Sequence, residues 1–114
     1  MTPGKYNWPA QYAGDTARPW EIQILEDGNI VKLTGVTVKL QARRDPQGVV
    51  LLDLSSDGTG ITITDEEEGK VRFGGYTNPD VQAMLTYDIQ YHFPDGSLTT
   101  YLTGVYPVYG QVTQ

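Results

Sequence analysis

The chain holds one histidine, His92, and it lies among groups that could react. Asp88 stands four residues before it, Asp95 three after it, and Ser97 follows. A serine–histidine–aspartate triad needs the imidazole within hydrogen-bond reach of both a nucleophile and an orienting carboxylate. On a strand, Asp88 and His92 share a face but stand roughly 13 Å apart at ~3.3 Å per residue. They cannot touch. Ser97 lies across a turn and lacks the glycine-flanked elbow that presents a nucleophilic serine. The segment therefore reads as a polar strand face, no catalytic residue is assigned, and the chain is expected not to be an enzyme.

The remaining reactive side chains give no stronger set. There are no cysteines, which excludes disulfides, thiolate metal sites and a cysteine nucleophile. The acidic stretches "DLSSDGTG" and "TDEEEG" lack the spaced acidic positions, central glycine and closing glutamate of a calcium loop. They read as solvated turns that also repel edge-to-edge association. No metal or cofactor is expected. Eight lysines and arginines against fourteen acidic residues, a net charge of −6, disfavour both nucleic acid and anionic membranes as partners. Arg43 and Arg44 are neighbours, so on a strand at most one can join the polar stripe of Lys39 and Gln41. Trp8, Trp20, Tyr76 and Tyr109 are the aromatics that could stack on a sugar, which keeps a carbohydrate- or receptor-binding module as the alternative function. Trp20 alternates with isoleucines and reads as core.

The elements that must carry these residues are strands. "VTVKLQAR" places Val36, Val38, Leu40 and Ala42 on one face and Thr37, Lys39, Gln41 and Arg43 on the other. This is the cleanest alternation in the chain and is expected near a sheet centre. Tyr87, Ile89, Tyr91 and Phe93 alternate with Asp88, Gln90 and His92, and "PDGS" turns that strand back into "LTTYL". "PWEIQILEDGNIVKL" reads as a hairpin turning at Gly28. "RDPQG" is a turn built on Pro46 and Gly48, and "VVLLDL" is apolar enough to be covered on both faces. "ITIT" and "KVRF" turn Ile61, Ile63, Val71 and Phe73 inward. "NPDVQAM" could form one helical turn, with Asn78 as its cap. Pro107 would cost a ladder bond in a central strand, so the last strand is expected at an edge or bulged. "LTGV" occurs at 33–36 and 102–105 and reads as a glycine bulge at two similar strand entries.

The count is eight or nine short strands and no convincing helix, the signature of an all-β antiparallel sandwich or a small barrel, of which the β-sandwich of the Ig-like or jelly-roll type is the expected one. Residues 1–18 read as an extended N-terminal arm and 19–114 as one domain. The arm carries Tyr6, Trp8 and Tyr12, which would be costly to leave in water.

The order of short signals carries a resemblance. "GDT" (14–16), "LTGVTVKLQAR" (33–43), "VLLDLSSDGTGITI" (50–63), "GKVRF" (69–73), "YDIQYHFPDGSLTTYLTGVYPV" (87–108) and "VT" (112–113) follow one another over most of the chain. In this it resembles the small all-β structural proteins of tailed bacteriophages, similar to the N-terminal domain of the phage upper baseplate protein family. It departs from them over 74–86, where members carry a longer connection with a further glycine. The resemblance implies a β-sandwich used as a virion part, in the baseplate, neck, tail fibre or capsid surface. It implies synthesis in the host cytoplasm, residence in the virion, and copies of itself and other virion proteins as partners. The residues expected to make those contacts are Trp8 and Tyr12 on the arm and Tyr106 and Tyr109 on the last strand.

Overall fold

A computed structural model describes residues 4–5, 8, 11–45 and 47–110. Tyr6, Pro46 and the closing "VT" lie outside the described residues. Eleven strands and no helix occur among them: β1 (Gly4–Lys5), β2 (Gln11–Tyr12), β3 (Trp20–Gln23), β4 (Leu25–Glu26), β5 (Asn29–Ile30), β6 (Thr37–Arg43), β7 (Val50–Ser55), β8 (Ile61–Asp65), β9 (Lys70–Phe73), β10 (Ala83–His92) and β11 (Leu98–Tyr109). The chain is all-β. Four of the strands, β1, β2, β4 and β5, are only two residues long, which accounts for the excess over the expected eight or nine.

The main sheet has six strands. β1, β11, β10, β6 and β7 follow one another in that order, and β2 also pairs with β11. The sheet is mixed, because β1 and β2 run parallel to β11 while the other pairings are antiparallel. β3, β9 and β8 form a separate antiparallel sheet, and β4 with β5 a small hairpin. The alternation of 36–42 predicts its place correctly: β6 lies between β10 and β7, with Val38, Leu40 and Ala42 fully buried. Leu85, Tyr87, Ile89 and Tyr91 of β10 face the same way, and Val71 and Phe73 of β9 join them in one core. The turn after β10 forms as expected, with Gly96 N donating to Phe93 O and Phe93 N to Ser97 O.

Several expectations are corrected. The segment 20–33 turns at Asp27 and Gly28, both at positive φ as a tight hairpin turn requires, but β3 itself pairs with β9 rather than with the returning strand. "VVLLDL" is an outer strand of its sheet; Leu52 and Leu54 are buried while Asp53 and Val49 are exposed. "NPDVQAM" forms no helical turn, because Asn78 spends its side chain on long-range bonds described below. The two "LTGV" copies are unlike: Gly35 sits in a tight turn, whereas Gly104 is mid-strand opposite Tyr87.

Pro107 is accommodated without an edge or a bulge beside it. The irregularity in the β10–β11 ladder lies at Ile89/Gln90, opposite Tyr101. Val105 O accepts from Trp8 N and Tyr109 O from Ala13 N. By strand alternation Pro107 also points its missing N–H toward the N-terminal segment, and the ladder to β10 loses nothing.

Candidate functional site

The four residues expected to contact neighbours divide two and two. Trp8, 3% exposed, and Tyr106, fully buried, belong to the interior of this chain and offer no surface. Tyr12 and Tyr109, 42% and 44% exposed, lie side by side on the outer face of the main sheet. Their ring centroids are 6.1 Å apart. The edge of β11, expected to await a partner strand, is already taken by β1, Trp8 and β2.

Trp8 fills an aromatic socket. Its ring centroid lies 4.7 Å from Trp20, 4.9 Å from Tyr106, 5.7 Å from Phe73 and 6.2 Å from Tyr87, mostly edge to face. That is the favoured geometry for ring quadrupoles. The socket joins both sheets, since Phe73 and Trp20 come from one and Tyr87 and Tyr106 from the other. The indole Nε1 is buried without a partner among the described residues.

A buried polar chain runs beside the socket. Tyr106 Oη donates to Asn78 Oδ1 at 2.6 Å, so Tyr76 must donate across the 2.8 Å between the two phenols. Asn78 Nδ2 donates to Gln11 Oε1 at 3.1 Å and to Tyr12 O at 3.2 Å, and Gln11 Oε1 also accepts from Arg18 N. Burial pushes the Tyr76 phenol up to about 12, opposed by its bond to Tyr106; burial and then the neighbouring Tyr76 push Tyr106 up further. Both stay neutral, as hydrogen-bond relays require. Tyr101 is likewise raised to about 12, by burial first and then by its bond to Glu26.

The outer face of the main sheet is polar along its middle and apolar at one end. Gln41, Arg43, Asp88, Gln90 and Thr103 line a cleft of about 290 Å³. Desolvation raises the Asp88 carboxyl, with Arg43 opposing. Beyond Thr86 and Val105, Met84 (57% exposed) lies opposite Pro107, next to Tyr109 and Tyr12. The triad residues do not assemble. His92 pairs with Thr37 and Leu98, its Nε2 buried without a partner among the described residues. The Ser97 hydroxyl donates instead to Asp95 at 2.6 Å. No group of three or more metal-ligating side chains occurs among the described residues. Of the candidate sugar platforms, Trp8 and Tyr76 are buried and Trp20 half-buried, leaving Tyr109.

Compared with known proteins, the chain matches no family model, no curated protein and no solved structure. Gln11, Asn78 and Met84 are the residues that sequence reasoning misses. Met84 could have been found, as the outward position beside the inward Leu85 on a strand extended two residues back. Gln11 carries no local signal and that of Asn78 points to a helix cap; the two meet only through the fold.

Proposed function

We propose that this chain is a structural component of a tailed-phage virion that works by protein–protein assembly, its sheets closing as a β-sandwich. It is made in the host cytoplasm, resides in the particle, binds copies of itself and other virion proteins, and takes no part in catalysis or in nucleic-acid or membrane binding. The order of its sequence signals supports the virion assignment. The observation that carries the assembly reading is the apolar end of the outer face. Tyr12, Tyr109 and Met84 remain exposed there while β11 is already paired on both sides. Exposed aromatics and methionine grouped beside a polar surface are the composition of protein interfaces.

Sedimentation over a concentration series should show multimers, and Tyr109→Ser should reduce them about tenfold at fixed concentration. A monomer at every concentration with saturable glycan binding, lost in Tyr109→Ser, would replace this reading with the carbohydrate-binding one. Locating the chain's density in a phage particle would test the virion assignment directly.

A further inference from the structure

The described residues of the N-terminal segment sit in one continuous slot. Gly4 and Lys5 pair with Leu102 and Thr103, Trp8 N donates to Val105 O, and Gln11 and Tyr12 pair with Val108 and Tyr109. The Trp8 ring drops into the socket of Trp20, Phe73, Tyr87 and Tyr106. Gln11, also buried, accepts from Asn78 Nδ2 of the body. This is strand addition to a sheet edge with two anchoring side chains, the mode by which proteins bind extended peptides. The segment is connected to the body by a tight turn in which Asp15 N donates to Tyr12 O and Gly14 has φ +75°. Glycine adopts left-handed and extended backbone with similar ease. Straightening that one turn sends the segment away from its own body while the segment and slot remain unchanged.

We propose that the slot is an intermolecular binding site, and that its occupant in the assembly is the N-terminal strand of a second copy. The inference rests on the assembly reading above. Exchange preserves the β11 pairing and the aromatic socket, because an identical strand meets an identical slot; the cost falls on the turn at Gly14. Exchange of identical elements is a low-cost route to oligomers. If each copy donates to the next, the contact is head-to-tail and closes a ring or extends a row.

The absence of native cysteine makes the test direct. Tyr12 and Tyr109 are paired neighbours on parallel strands with exposed side chains. Their backbones are at about 4.8 Å, within disulfide range. Full-length Tyr12→Cys and a size-tagged full-length Tyr109→Cys are mixed, oxidised and run on a non-reducing gel. A disulfide joining position 12 of one chain to position 109 of the other is expected. Adding Gly14→Ala to the first chain should raise its yield about fivefold, the factor that roughly 1 kcal/mol of left-handed strain corresponds to. If a chain carrying both cysteine substitutions closes its disulfide internally and the mixture, at a concentration where the two single variants sediment as multimers, gives no cross-chain product, exchange is overturned. An equal amount of product joining two chains through position 12 of each would mark a face-to-face contact and overturn it too. Multimers in sedimentation without the mixed disulfide would sink the exchange and leave assembly standing; monomers in sedimentation would sink assembly by self-association.

Discussion

The hairpin from Tyr87 to Gly104 and the N-terminal segment both end in the same core, and they reach it by opposite means. The hairpin is long: within it β10 pairs with β11 over six register positions, broken once at Ile89/Gln90, and over ten along the whole of β10, which also pairs with β6 over seven. Its buried residues recur every second position, each supported by neighbours near in sequence. The N-terminal segment touches the sheet at separated points, runs parallel to its partner, and commits two large side chains, Trp8 and Gln11, to the interior. Parallel neighbours need a long connection, so this pairing has no local sequence record. A sheet assembled from repeated small contacts is robust to the loss of any one, whereas a segment held at a few separated anchors depends on each of them.

Four measurements test that contrast. Trp8→Ala should cost about 3–5 kcal/mol of stability by urea titration, the range for removing a buried tryptophan. It should also strip amide protection selectively from the outer side of β11. A loss below about 1 kcal/mol, under the floor of that range, would mean the segment is not anchored there. Tyr106→Phe keeps the ring in the socket but leaves Asn78 Oδ1 without a donor and Tyr76 without its acceptor. The expected cost is about 1–3 kcal/mol, again by urea titration. Within the hairpin, Ile89→Val should cost only about 0.5–1.5 kcal/mol, because the ladder on both sides remains.

The smallest effect is electrostatic. Two carboxylates of the hairpin are shifted in opposite directions. Asp95 is held below the usual carboxylate range by the Ser97 hydroxyl and then the Ser97 N–H. Its contribution to stability is therefore present above the ordinary carboxyl pKa and is lost as pH falls through the lowered folded value. Asp88 is raised by desolvation, against the pull of Arg43. Its ionised form costs the folded state, and that cost is relieved as pH falls through the raised value. Carboxyl NMR titration should place the Asp88 midpoint above that of Asp95. Ser97→Ala should return Asp95 toward its ordinary value and leave Asp88 where it is.

What can be read from the residues follows the same division. Period-two alternation at Val36–Ala42 and Tyr87–Phe93 announces the central strands, because each inward residue is chosen by the same local geometry. The Asp27–Gly28 and Asp95–Gly96 turns are legible because few residues accept those backbone angles. The exposed Tyr12–Tyr109 pair is half legible: both residues stand out, but nothing local places them together. Trp8 and Tyr106 stand out as aromatics, yet their burial is not visible, since the socket draws on four distant segments. Asn78 misleads for a definite reason. An asparagine before proline resembles a helix cap, and its amide is instead consumed by Gln11, Tyr12 and Tyr106.

The parallel pairing of β1 and β2 with β11 has a consequence for synthesis. The ribosome makes the tryptophan about 100 residues before it makes the strand that receives it, an interval of roughly 5–20 s at ordinary translation speeds. Trp20, Phe73 and Tyr87 are made in that time, but the seat of the indole is complete only when Tyr106 has emerged. Several chains growing on one messenger RNA would hold such open strands side by side at high local concentration. The order of translation thus makes the last strand the step at which the beginning of the chain is closed in.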